Sequence, residues 1–547
     1  MKRSILLIPL LLLMSACATK GVQARELGPY TSQDLEWGVC PKSYFVGDDE
    51  MSSTFVKARV TCTGVLVPAT YRAKDNLPDF KIAMMRLSSA NENKRGTLFI
   101  NPGGPGASGI EELQWVPFPK AVTDVYDIVG FDPRGVSHSA PVTGKQIKCE
   151  TQSDFETYWK GEDTPSNMAE IKINQKLGDT YMRKCLKANP NWWTLTTQNV
   201  VTDLEIMRKV VTGSQPLNFL GSSYGTTIAA SYITKYPSNI GHIVLDSPTT
   251  NEPNGDTQII ADERARENQL NRLIRGYAKA NNLTVAKVKK IMLEIRQLGD
   301  DDKLIGFAGI KVLPGSENRV STEYMFTHGI FALTYFDEET SQKYFNMGMD
   351  GVRSADRWNG LFEYFALELD GYDTDSLGGP KYEPKKIKRD NSYEILSIVN
   401  SLDIDSRDQQ TDEASAALQK KIEAASPFWT LLENDPKEFD YTGEDDGITW
   451  TSAAFADPNI PNPSRVPPKR TNTSGSSVLV IGSKFESTTP YPFAIKTAKD
   501  LKSPLVTINS SVHAPLTGFD NQCLTNIFID YLVSDRLPTK SVTCKKE

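Results

Sequence analysis

The amino-acid sequence predicts an α/β protein, a mostly parallel doubly wound sheet with a large, mainly helical cap insertion. Three observations carry that prediction. Strand-like apolar runs alternate with helical patterns near both ends of the chain, the rhythm of βαβ units packed on one sheet. The rhythm stops between about 255 and 474, where amphipathic helical segments such as Thr284 to Leu298 and Ser354 to Leu369 are separated by polar loops. Finally, Gly221-Ser222-Ser223-Tyr224-Gly225 joins an apolar run to a helical pattern, the spacing of a sharp turn that lifts a serine clear of a sheet.

In chain order, Met1-Lys2-Arg3 and the apolar stretch Ile5 to Met14 form a targeting signal, too short for a permanent membrane span. Ser15-Ala16-Cys17 resembles a bacterial lipobox, so residues 1–16 are predicted to be removed and Cys17 lipidated. Plain cleavage and release of an exported protein is the alternative. Residues 17–30 then read as a tether. Residues 31–254 read as the first part of the core, with strand-like runs at about 58–67, 80–88, 97–101, 126–131, 217–221 and 242–246. An insertion of the size of 255–474 between the sixth and seventh strands is most simply a cap over the site, with Pro458 to Ser477 as its return linker. Residues 475–547 complete the core with strands at about 477–482 and 504–508.

A serine hydroxyl needs a histidine to take its proton and a carboxylate to hold the imidazole tautomer. With this kind of turn the acid follows the serine and the histidine comes last. Of the four histidines, His138 and His242 lie too early, and His328 sits in an apolar helical stretch suited to a satisfied, packed side chain. His513 follows the strand-like Pro504-Leu505-Val506-Thr507-Ile508 in the loop before the last helix, where the base belongs. Glu486 is the carboxylate of the loop after the preceding strand, Ser477 to Ile481. Asp246, ending His242-Ile243-Val244-Leu245, is the main rival acid, although a cap on the following turn suits it better. Asp500 and Asp520 read as surface residues. Two backbone amides must hold the developing oxyanion. Tyr224 supplies one, and the loop Asn101-Pro102-Gly103-Gly104-Pro105-Gly106 supplies the other, from Gly104 or else Gly103.

Composition sets bounds on the rest. With 39% hydrophobic residues the chain can build a large core, and a net charge of −7 without long single-sign runs leaves no nucleic-acid footprint. Lys385-Lys386-Ile387-Lys388-Arg389 reads as solvated surface. No Cys or His spacing suggests a metal, and no motif calls for a cofactor. Setting Cys17 aside, six cysteines remain and allow 15 pairings. Oligomeric state is not encoded in any motif.

Taken together, Asn101-Pro102-Gly103-Gly104-Pro105-Gly106-Ala107-Ser108-Gly109, Phe131-Asp132-Pro133-Arg134-Gly135 and Gly221-Ser222-Ser223-Tyr224-Gly225-Thr226 resemble the secreted tripeptidyl aminopeptidases. These form part of the prolyl-aminopeptidase-like branch of α/β-hydrolases. The resemblance continues through Val244-Leu245-Asp246 and Thr489-Pro490 to the closing Cys523, Leu537-Pro538 and Cys544, the TAP-like C-terminal segment. Two positions depart from it: Glu486 where such enzymes usually have Asp, and Val512 where they usually have Gly. The resemblance implies a serine peptidase with peptide substrates that releases short N-terminal fragments through an acyl-enzyme on Ser223, His513 and Glu486, and the leader pattern with Cys17 adds export and attachment to the bacterial cell envelope. A carboxylesterase or lipase with the same triad, and a non-catalytic binding lipoprotein, are the other readings. Chain order and the resemblance together favour Cys40–Cys62, Cys149–Cys185 and Cys523–Cys544. Exopeptidase action also needs a carboxylate for the substrate's free amine, and Glu323, Glu363 and Glu368 of the cap are the expected sources.

Overall fold

The computed structural model describes residues 26–47, 51–71, 77–149, isolated positions between 173 and 182, 183–250, 252, 255–307, 311–312, 319–369, 391–404, 412–433 and 477–545. The expected signal, the tether as far as residue 25, Cys17, the basic cluster 385–389 and the return linker lie outside these residues.

The eight expected core strands are present as β1 (Val60–Val67), β2 (Phe80–Leu87), β3 (Gly96–Asn101), β4 (Tyr126–Phe131), β6 (Leu217–Ser222), β7 (Ile240–Asp246), β11 (Ser477–Ser483) and β12 (Leu505–Ile508). Two short strands join them: β5 (Ala140–Pro141) and β13 (Val542–Cys544). The ten form one sheet in the order β1-β2-β4-β3-β6-β7-β11-β12-β13, with β5 on β2. β1 and β5 run antiparallel to β2, as does β4; every pairing from β4 onward along the order is parallel.

Core helices α1 (Gly109–Trp115), α2 (Thr197–Thr212) and α3 (Tyr224–Lys235) precede the insertion. The insertion carries α4 (Gly255–Ala280), α5 (Val285–Asp300), α6 (Glu323–Ala332), α7 (Glu338–Val352), α8 (Gly360–Leu369), α9 (Ser392–Asp403), α10 (Asp412–Ala425) and α11 (Pro427–Glu433). It also holds a small antiparallel sheet that sequence reading missed, of β8 (Leu304–Gly306), β9 (Lys311–Val312) and β10 (Arg319–Ser321). Strands of two or three residues leave too little alternation to read. Helices α12 (Tyr491–Asp500) and α13 (Gln522–Ser534) complete the core.

Burial on both faces explains the near-continuous apolar strands. Leu98, Ile100, Val244, Leu479 and Ile481 pack on one face against Leu113 of α1 and Phe528 of α13. Their neighbours Phe99, Ile243, Leu245, Val478 and Val480 turn to the other face, against Leu204 of α2 and Ile228 of α3. The period of two along each strand thus feeds two layers. A third apolar cluster, including Leu273, Met292, Phe326, Phe345, Phe362 and Trp429, is the cap's own core.

Helix α9 is the exception within the insertion, because it packs into a layer of the main sheet's own core. Its Ile395, Ile398, Val399 and Leu402 join the cluster of α2 and α3. At its start, the Asn391 amide donates to the carbonyls of Gly135 (2.6 Å) and Ile147 (2.9 Å) and accepts the Ser137 N–H (2.9 Å). At its end, Asp403 accepts from the Thr197 hydroxyl and the Thr197 N–H at the start of α2.

Arg134 anchors α2 to the loops around it. It is buried, and its guanidinium bonds both Asp203 oxygens (2.7 and 2.5 Å) and the carbonyls of Pro68, Ala69 and Thr194. Removing one member strands a buried charge. Arg134→Met is therefore expected to lose about 3–5 kcal/mol of stability in a urea titration, and Arg134→Met combined with Asp203→Leu to recover part of it. All three expected disulfides are present: Cys40–Cys62, Cys149–Cys185 and Cys523–Cys544.

Candidate active site

Four neighbouring strands, β6, β7, β11 and β12, end along one edge of the sheet, and the expected residues follow directly from three of those ends. Ser223 stands between β6 and α3 with φ 53° and ψ −125°, a strained conformation that the surrounding bonds must hold in place. Its N–H donates to the Asp246 carbonyl at 2.9 Å, and its carbonyl accepts from the Thr226 N–H (2.9 Å) and hydroxyl. Gly225 must be small because a Cβ there would sit 2.4 Å from the Asn101 carbonyl. The turn is thus clamped against the neighbouring strand β3.

The glycine loop after β3 lies directly against this turn. Gly103 has φ of +100°, and a Cβ on it would fall 2.6 Å from both the Ser222 carbonyl and the Tyr224 nitrogen. No other residue allows that approach. The Gly103 N–H donates to the Asn101 side-chain oxygen at 3.1 Å. Gly104, the donor expected from the sequence, has φ of +97°. Tyr224 is the first residue of α3, where backbone N–H groups have no partner within the helix.

On the other side of the edge, His513 Nδ1 and Glu486 Oε1 share a short hydrogen bond. Glu486 is buried and held by three further groups. Its Oε1 accepts from the Thr489 N–H (3.1 Å) and hydroxyl, and its Oε2 accepts from the Ser247 hydroxyl at 2.9 Å. Ser247 Oγ in turn accepts the Ala514 N–H at 3.0 Å, so one hydroxyl ties acid and histidine loops together. Burial by itself would make the His513 imidazole release its proton more readily. The charge and hydrogen bond of Glu486, with Asp246 beyond it, outweigh burial and raise its pKa above the ordinary histidine value.

Comparison with known proteins agrees with this geometry. Residues 96–289 match the family described as alpha/beta hydrolase fold, and residues 449–544 match the family described as TAP-like protein. The chain has the α/β-hydrolase fold. A tripeptidyl aminopeptidase of Streptomyces lividans is 34% identical over 34% of this chain and 35% of its own length. Serine protease Hip1 of Mycobacterium tuberculosis is 31% identical over 45% of each chain. The chain thus spans about a third of the length of the Streptomyces relatives it matches. A Mycobacterium tuberculosis protein named carboxylesterase B is 24% identical over 94% of this chain and 91% of its own.

The remaining histidines of this α/β-hydrolase are committed elsewhere. His138 bonds Asp132 (2.9 Å) and the Ser43 carbonyl (3.0 Å), His242 bonds Asp535 (2.9 Å), and His328 stacks on Tyr324. Asp500 pairs with Lys496 on the surface, and Asp520 is exposed. Asp246 does not cap the turn after it. Its carboxylate accepts the Leu516 N–H at 2.9 Å, which places it beneath the histidine loop.

The three amine candidates fare differently. Glu363 is wholly buried, and its carboxylate accepts the Phe307 N–H inside the cap, so it is a structural acceptor. Glu323 is buried at the start of α6 against Gly299, the end of that helix remote from Tyr335. The Glu368 side chain lies outside the described residues. Sequence reading missed Tyr335, whose ring stands edge-on to the His513 ring with centroids 6.1 Å apart. Behind it lie Arg266, Asp262 and Glu263 of α4 and Glu433 of α11, charges that act on one another or on Tyr335. Glu263 bonds Arg266 (2.5 Å) and the Ser426 hydroxyl (3.0 Å). Burial and the Glu263 charge, opposed by Arg266, push Glu433 up to about 7. Nothing local in the sequence relates these helices to residue 513.

Proposed function

We propose that the protein is an exported serine peptidase that hydrolyses peptide bonds near free N-termini and releases short, tripeptide-like fragments. The observation that carries the reading is the Glu486–His513 hydrogen bond beside the strained Ser223 turn. In this reading the Ser223 oxygen attacks the peptide carbonyl and His513 takes its proton. Glu486 keeps Nδ1–H pointing away from the serine, so that Nε2 is the base. The Tyr224 and Gly104 amides receive the oxyanion as charge develops on it. His513 then protonates the leaving amine, and water attacks the acyl-enzyme by the same route in reverse. The relatives named tripeptidyl aminopeptidase and serine protease support a peptide substrate. Export and a lipid anchor at Cys17 rest on the leader pattern of residues 1–17.

In place of Glu323, Glu363 and Glu368, the amine partner in this reading comes from Asp262, Glu263 and Glu433. Three carboxyls there face one guanidinium, and Tyr335 links the group to His513. A hydrogen bond to a charged group contributes about 1.5–3 kcal/mol. Asp262→Asn with Glu433→Gln is expected to raise KM for a free tripeptide anilide by roughly 10- to 100-fold. Turnover of its N-acetylated counterpart is expected to stay unchanged in the same variant. The carboxylesterase name of a relative matched over 94% of the chain defines the competing outcome. Wild-type enzyme that turns over free and acetylated substrates equally, or prefers simple esters, would remove the aminopeptidase reading.

A further inference from the structure

Strand β7 ends on a residue that touches two parts of the site at once. The Asp246 main-chain carbonyl accepts the Ser223 N–H, and its Oδ2 accepts the Leu516 N–H three residues beyond His513, each at 2.9 Å. The side chain is completely buried, and its second oxygen, Oδ1, has no hydrogen-bond partner among the described residues. Glu112 of α1 lies close enough for the two charges to interact. It too is buried, with its Oε2 unpartnered. The titratable groups that face Asp246 are therefore Glu486, His513 and Glu112. A hydrolase needs one acid behind its histidine, and this one carries three carboxyls there.

We propose that Asp246 is a positioning residue, which fixes the His513 loop against the serine turn and, once ionised, sets the imidazole's proton affinity from behind, with Glu112 kept neutral beside it. This rests on Ser223, His513 and Glu486 being the catalytic set. Burial, with the Glu486 charge added, pushes Asp246 up to about 7, while the Leu516 N–H and His513 pull it down. Burial and the Asp246 charge push Glu112 up to about 8. Glu112 thus keeps its proton to higher pH than Asp246 does. His513 and Asp246 titrate as a coupled pair, each favouring the other's charged form.

Two substitutions separate these roles. Asp246→Asn keeps an acceptor for the Leu516 N–H and removes the charge. It is expected to move the acid limb of kcat/KM to lower pH, by on the order of half a unit to one unit, with plateau kcat within a few-fold of wild type. Glu112→Gln is expected to leave that limb where it is and to change stability instead. Its folded value of about 8 lies above the carboxyl model value of 4.5. Its contribution is therefore fully present below pH 4.5 and lost as pH rises through 8. Glu112→Gln should remove that decline, read by urea titrations between pH 5 and 9.

An unmoved acid limb in Asp246→Asn, with wild-type hydrolysis that still depends on Ser223, overturns the role of Asp246. Should that variant not fold, Asp246→Glu keeps the charge and displaces the acceptor. It is expected to lower kcat at least tenfold, and wild-type kcat in it would overturn the proposal equally. A wild-type protein without any hydrolysis sinks the catalytic reading, whereas an unchanged stability slope in Glu112→Gln sinks the neutral carboxyl at 112 on its own.

Discussion

If the protein is the serine peptidase proposed above, replacing Ser223 with alanine is expected to lower peptide hydrolysis by about 10⁶-fold, to the rate that oxyanion donors and substrate binding alone supply. The reasoning is local. No other residue stands on the strained turn between β6 and α3, and in the proposed mechanism the Tyr224 and Gly104 amides receive the oxyanion formed by attack from that position. Because the turn's conformation is fixed by the Asp246 carbonyl and by Thr226, alanine at 223 leaves the fold unchanged. The check pairs single-turnover rates on an activated peptide anilide with thermal melts. Hydrolysis within tenfold of wild type in a folded Ser223→Ala protein would mean that another group is the nucleophile.

The second large effect belongs to Glu486. Glutamine at this position is nearly the same shape, yet it presents an amide to the His513 Nδ1–H and to the two donors of Thr489. All three reach Oε1, so the amide oxygen must take that place, which turns the amide NH2 onto the Ser247 hydroxyl that now donates to Oε2. The negative charge that holds the imidazole tautomer is lost in either orientation. A loss of about 10⁴ in kcat is expected, the size seen when a triad carboxylate becomes an amide. The sign of the pH effect also follows. Glu486 is the main group raising the His513 pKa against burial, so its loss moves the acid limb to lower pH. Glu486→Asp keeps the charge and shortens the reach by one methylene. A displacement near 1 Å in a reacting group costs about 10²-fold. Rates on a saturating substrate from pH 5 to 9 distinguish the two variants.

How much of this was readable in advance depends on whether the signal was local. The strand ends were, because long apolar runs bounded by Gly, Pro and polar residues leave few alternatives. Ser223 declares itself through flanking glycines that the turn needs. Glu486 is legible because it is the lone carboxylate in its loop, and His513 because three of four histidines stand in unsuitable places. What the sequence concealed is tertiary. Ser247 and Thr489, which orient Glu486, are ordinary hydroxyls until the loops after β7 and β11 are brought side by side. Asp246 looks like a turn cap because the backbone N–H it serves is that of Leu516, far along the chain. Glu363 looks available because the Phe307 N–H that occupies it is equally remote in sequence. Strand β13 is short, and its pairing with β12 is visible only once Cys544 is tethered to α13 through Cys523.

Helix α9 has a consequence for how such proteins diversify. Exchanging lids between related enzymes is a common route to new specificity, and it presumes a seam that can be cut without harm. Here the seam is interrupted. A Cβ on Gly106 of the glycine loop would lie 2.4 Å from the Ser392 carbonyl, and the Tyr224 hydroxyl bonds Thr197, which Asp403 also holds. One segment of the lid is thus an organ of the catalytic body, inherited with it, and only the segments around it are at liberty to vary.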